Sequence, residues 1–120
     1  MDVQLPTSGA ARVVAGFDWD RGNRDKCQTH GVSLAAIESA FRGPLAVFPD
    51  PKHSAAEERF HAIGRTAQGG AQGRWVFIVF TLRALGGETF IRPISGQYMH
   101  RREVESYESQ AAEAADRSGG

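Results

Sequence analysis

Arg59, His61 and Arg65 share one parity within the segment Glu57 to Thr66. On a strand, side chains alternate between faces, so this spacing presents an imidazole between two guanidiniums. Such a row could clamp a phosphate and move a proton. The plainer account is surface charge paired with Glu57, Glu58 or a neighbouring strand. Farther along, the step Tyr98-Met-His-Arg-Arg102 gathers more such groups. His100 there is an acid or base, or a helix cap. Tyr98 stacks on a ring or closes the core. Arg101 and Arg102 precede Glu105 and Glu108 at helical spacing, so at least one belongs to a solvated helix face. Arg83 and Arg92 lie at opposite ends of neighbouring strands, where each binds an anion or closes an ion pair with Asp18, Asp20 or Glu88. His30 stands before Gly31, where an imidazolium suits the negative end of a helix, and Lys26 one turn earlier extends the basic rim.

The totals set bounds. A chain of 120 residues with 41% hydrophobic and 23% charged residues is one soluble domain's worth. The net charge is zero, but it is unevenly spread. Residues 1–58 hold six Lys/Arg against eight Asp/Glu, residues 59–102 hold seven Arg against Glu88 alone, and residues 103–120 hold Arg117 against five acids. A basic segment with no lysine suits forked recognition of phosphate or carboxylate. No apolar run is long enough to span a membrane and no signal-peptide pattern opens the chain, so a cytoplasmic protein without membrane contact is expected. Cys27 is the single cysteine and forms no internal disulfide. The four histidines lack the short paired spacing of a metal site, and no cofactor is expected. His53 falls in a proline-rich loop and is expected to be exposed.

Elements must position these groups. Trp75 to Leu82 is a nearly continuous β-branched and aromatic run, which fits a strand buried on both faces, with Trp75 and Trp19 in the core. Gly86-Gly87 turns it into a second strand, Glu88 to Gln97, where Pro93 demands an edge or a bulge. Phe17-Asp-Trp-Asp20 is a short strand with its aromatics inward. Asp20 or Asn23 caps a helix running to about His30 and stopped by Gly31. Ser33 caps a second helix with Leu34, Ile37, Ala40 and Phe41 on one stripe, ended by Gly43-Pro44. Leu45 to Phe48 and Glu57 to Thr66 are strands, and a helix follows from Met99 or His100 with Val104, Tyr107 and Ala111 on one side. Residues 1–15 read as a flexible leader that joins the sheet near Val13 at most; residues 16–108 form the domain; residues 109–120 form a flexible acidic, alanine-rich tail. The expected fold is α+β: helices on one face of a small antiparallel meander, with the arginine-bearing face open.

Phe17-x-Trp19-Asp20, Asn23-Arg-x-Lys26, His30-Gly-Val-Ser33, Pro44-Leu45, Pro49-Asp-Pro51, the Glu57-Glu-Arg59 to Ile63-Gly-Arg65 segment, Val79-Phe80-Thr81, and the Arg92-x-Ile94-Ser95 to Arg101-x-Glu103 and Tyr107 ending together resemble the BrnT family of bacterial toxins. The resemblance covers roughly residues 17–108. It implies a ribonuclease of a type II toxin–antitoxin pair with a RelE- and ParE-like fold. It also implies a cognate, BrnA-like ribbon-helix-helix antitoxin, through which alone the toxin would reach operator DNA.

Metal-independent RNA cleavage needs a base for the 2′-hydroxyl proton, cations on the phosphate and an acid for the leaving 5′-oxygen. Under the resemblance, His61, Arg65, Arg83, Arg92 and His100 are the catalytic candidates. Arg59, Gln97, Tyr98, Arg101, Lys26 and His30 are the candidate RNA contacts, with Tyr98 able to stack on a base. One departure stands out: where the family typically has Ser-Ala-Arg, this chain has Ser95-Gly96-Gln97. Loss of a guanidinium from the scissile phosphate removes a contact worth roughly 1.5–3 kcal/mol. The alternative to an active ribonuclease is therefore a weakened toxin that serves mainly to bind its antitoxin in operon repression.

Overall fold

Short runs rich in β-branched and aromatic side chains build the sheet of the computed structural model, which describes residues 1–6, 11–67 and 73–119. Strands β1 (Asp2–Gln4) and β2 (Ala11–Val13) form a separate pair. The main sheet comprises β3 (Gly16–Phe17), β4 (Leu45–Pro49), β5 (Arg59–Arg65), β6 (Trp75–Leu85) and β7 (Glu88–Tyr98), in the order β3-β7-β6-β5-β4. Four of these make the expected antiparallel meander, while β3 adds a parallel edge on β7 through Gly16 and Phe17. With α1 (Arg21–Cys27), α2 (Leu34–Arg42) and α3 (Arg101–Gly119), the fold is α+β. None of the described helices is long and apolar enough to cross a membrane.

The inner face of the sheet carries Phe60 and Ala62 from β5, Val76, Ile78 and Phe80 from β6, and Ile91 from β7, all buried. Against them α2 lays Ala36, Ile37, Ala40 and Phe41, and the Phe41 ring meets Phe80 edge-on at 5.1 Å. Gly96 lets this layer close, because a Cβ there would stand 3.1 Å from the Ile37 Cδ1. The β6–β7 turn is made by Gly86 and Gly87, both at positive φ (59° and 81°), which suits a two-residue hairpin. Pro93 lies at a bulge rather than an edge: the register breaks between Val79 and Phe80, opposite Ser95 and Pro93. The buried Asn23 amide donates to the carbonyls of Pro93 and Asp18, both at 2.9 Å, and so fastens α1 to this irregularity.

Helix starts follow the expected chemistry. Asp20 and Asn23 cap α1 reciprocally, and the Ser33 hydroxyl accepts from the Ala36 N–H at the start of α2. The end of α1 differs: it stops at Cys27, not near His30. Gln28 Nε2 and Thr29 Oγ1 donate to the carbonyls of Arg24 and Asp25, and such side-chain bonds compete with continued helix.

The leader expected over residues 1–15 contains the β1–β2 pair, with Val3, Leu5 and Val14 buried. Val13 pairs with Asp2 and not with the main sheet, which Ala15 joins by donating to the Thr89 carbonyl. At the other end α3 continues past Ser109. β6 is not buried on both faces. Trp75 is only half-buried; it stands on the outer face, opposite α1 and α2, with the Arg65 guanidinium 4.7 Å from its ring centroid and Tyr107 edge-on at 5.6 Å. The indole Nε1 is buried and has no hydrogen-bond partner among the described residues.

Candidate nucleic-acid interface

Cross-strand register arranges the outer face in rows. Gln97, Phe77, Ile63 and Ala46 make one row; Ser95, Val79, His61 and Phe48 make the next. Helix α3 leaves the end of β7 and touches down at Tyr107, so two hollows open beside it and meet at Met99.

The first is a polar cleft of about 450 Å³. His30 and Gly31 enter it from the turn after α1, Arg74 from the start of β6, Gln97 and Tyr98 from the end of β7, and His100 from the step into α3. Gly31, at φ 84°, provides the left-handed residue that the turn needs. His30, Arg74, Gln97 and His100 are exposed, while Tyr98 is half-buried beneath Arg74, whose guanidinium carbon lies 3.8 Å from the ring centroid. The His100 N–H donates to Glu103 Oε1, which leaves its imidazole to the cleft.

The second hollow, about 550 Å³, runs between α3 and the sheet. Phe48, Ile63, Phe77 and Tyr107 line it with His61 and Arg102. Asp50, only 7% exposed, accepts from His61 Nε2 at 2.9 Å and from His53 Nδ1 at 3.1 Å. Burial works to raise the Asp50 carboxyl, but the hydrogen bonds and charges of the two histidines outweigh it and hold the group below the usual carboxylate range.

The other expected site residues divide by their partners. Arg92, 17% exposed, ion-pairs with Asp20 at 2.8 Å and Asp18 at 3.4 Å. The Asn23 backbone N–H, followed by Arg92, holds Asp20 below the usual carboxylate range. For Arg92, burial is outweighed by these two acids and its pKa is raised. Arg83 pairs with Glu57 through Nε and Nη2, at 3.3 and 3.4 Å, a partner that its spacing did not suggest. Arg101 pairs with Glu105 on a side of α3 open to solvent. Lys26 is exposed on α1 and lines neither hollow. Arg59, Arg65, Arg74 and Arg102 form no salt bridge within the described residues. The structure thus brings His30, Gln97, Tyr98 and His100 together, and sets His61 across Met99 from them.

Arg74, Asp50, Phe48 and Phe77 were not among the site residues expected from the sequence, although Asp50 lies in the Pro49-Asp-Pro51 motif. Arg74 immediately precedes the central strand, and Asp50 lies between two prolines. Those signals mark a strand exit and a rigid loop without saying what they face. Among the described residues, no group of three His, Cys, Asp or Glu side chains could hold a metal ion.

Fold and surface together define a small α+β domain with an arginine- and histidine-bearing sheet face. The family model for BrnT, the ribonuclease toxin of type II toxin–antitoxin systems, matches residues 19–103, and the chain belongs to that family. Membership implies an antitoxin as partner. No curated protein matches the chain.

Proposed function

We propose that this chain is a bacterial, cytoplasmic endoribonuclease toxin that cleaves RNA without a metal ion, with its cleavage centre in the polar cleft beside Gln97. The observation that carries the reading is the meeting of two imidazoles, His30 and His100, with the Arg74 guanidinium in one cleft. The 2′-hydroxyl attacks the adjacent phosphorus. One histidine takes its proton, the other supplies a proton to the departing 5′-oxygen, and Arg74 faces the charge that builds on the phosphate. Arg92 and Arg83, neutralised by carboxylates, support the surface from its edge. Arg59, Arg65 and Arg102 attract the flanking phosphates, because they keep uncompensated charge.

Gln97 specifically favours a second reading. It lies in the cleft where the family resemblance places an arginine, so the chain is attenuated and its principal task is binding its antitoxin, a ribbon-helix-helix protein that carries the pair to operator DNA. The test is expression under tight control without antitoxin, beside Gln97→Arg, with growth arrest and cleavage of purified RNA in chelator as readouts. Cleavage by both supports an active toxin centred on His30, Arg74 and His100. Cleavage by Gln97→Arg alone supports the attenuated reading, and no cleavage by either removes the ribonuclease proposal.

A further inference from the structure

We propose that the hollow between α3 and the sheet is a nucleobase subsite, which holds the base next to the scissile phosphate between aromatic side chains. This rests on the reading of the neighbouring cleft as the cleavage centre. Phe48 is 42% exposed, a rare state for a large apolar side chain here, and with Phe77 and Tyr107 it gives the hollow three aromatic walls. Aromatic faces accept any base by stacking, and a hollow of about 550 Å³ falls in the range of small-ligand sites.

A polar reader is already oriented. The buried Asp50 carboxylate fixes His61 through Nε2, and the His61 ring packs against Phe77 with centroids 4.9 Å apart. In the tautomer that donates Nε2–H to Asp50, Nδ1 is left as an acceptor for an amino or imino hydrogen of a base. Asp50 is a positioning residue in this arrangement. Arg102 at the rim has no carboxylate partner among the described residues and suits the phosphate beyond. The hollow also meets the polar cleft at Met99, so one strand can pass from one to the other. A partner's helix fits less well. It is about 10–12 Å across and would have to lift α3 off Trp75, where Tyr107 is seated.

The test uses the full chain and a heptanucleotide of 2′-O-methyl RNA carrying 2-aminopurine, whose fluorescence falls on stacking. The blocked 2′-hydroxyl prevents cleavage, so binding is read independently of catalysis. The parent chain is expected to bind and quench the probe. Phe48→Ala should weaken binding about tenfold, the size of one lost stacking contact, and Tyr107→Ala, which also frees α3 from Trp75, at least as much; both should relieve the quench. Leu85→Ala, at the distant hairpin, should leave both unchanged. Phe48 is exposed, so its truncation spares the core, and unchanged far-ultraviolet dichroism verifies this. Failure of the parent to bind, or unaltered binding and quenching in both variants, overturns the subsite even if unmodified RNA is cleaved. Unaltered probe binding with loss of antitoxin from the purified complex would instead make the hollow a protein-docking surface. Loss of cleavage by the parent and Gln97→Arg, with stacking intact, would remove the ribonuclease reading and leave the base site standing.

Discussion

At position 97 a neutral amide and a guanidinium differ by a charge directed at phosphate. Gln97→Arg is expected to raise RNA cleavage roughly 10- to 100-fold, the kinetic equivalent of one charge-assisted hydrogen bond, as single-turnover kinetics would show. Cys27 presents the opposite case of a reactive group made inert. It is fully buried, and desolvation pushes its thiol up to about 11. The native protein should therefore resist iodoacetamide at neutral pH and react only when unfolded, which mass spectrometry can follow across a urea series. Asp20 and Asp50 set a pH dependence of definite sign. Both carboxyls are held below their ordinary value of 3.8 in the folded state, so their contribution is present above that value and is lost as pH falls below it. Urea midpoints should drop on acidification through this range, and Asp20→Asn should make the drop shallower.

Among the elements, α2 presses hardest on the sheet. Ile37 is fully buried over Gly96, so Ile37→Ala leaves a cavity and should cost about 2–5 kcal/mol by chemical denaturation. Helix α3 is the contrasting element. Val104 and Tyr107 are half-buried, while its other residues through Glu113 are exposed, and the ring contact of Tyr107 with Trp75 seats it. Tyr107→Ala is expected to speed amide exchange along α3 while the strands β5 to β7 keep their protection, since their packing lies on the inner face.

For the whole molecule, a balanced net charge is reached without balancing each face. Carboxylates near β3 and in the loop before β5 neutralise Arg92 and Arg83, whereas Arg74 and Arg102 at the two hollows, and Arg59 and Arg65 elsewhere on β5, form no salt bridge among the described residues. An electrostatic surface of that kind weakens with salt in proportion to the phosphates that it meets. RNA affinity should accordingly fall steeply with ionic strength, and Arg74→Ala should lessen the slope by about one ion.

Local chemistry determined much of this protein directly from its sequence. The β-branched and aromatic run of β6, the Gly86-Gly87 hairpin, the irregularity at Pro93 and the Ser33 cap each act over a few residues, so each was legible before any fold was known, although the run of β6 did not show that one of its faces stays half-open. The same holds for the α+β class, and the eight family motifs stand in their expected order along the chain. Tertiary structure decided which charges remain uncompensated. Arg92 and Asp20 are 72 positions apart and Arg83 and Glu57 are 26 apart, separations that no helical or strand spacing reveals. It also moved Trp75 out of the core, because its ring is met by Tyr107 of α3 and the Arg65 guanidinium rather than by a packed layer. Most consequentially, it joined His30 to His100 and Asp50 to His61. Packing of α1 on β7 and pairing of β4 with β5 bring these groups together, and the spacing of residues along the chain does not announce it.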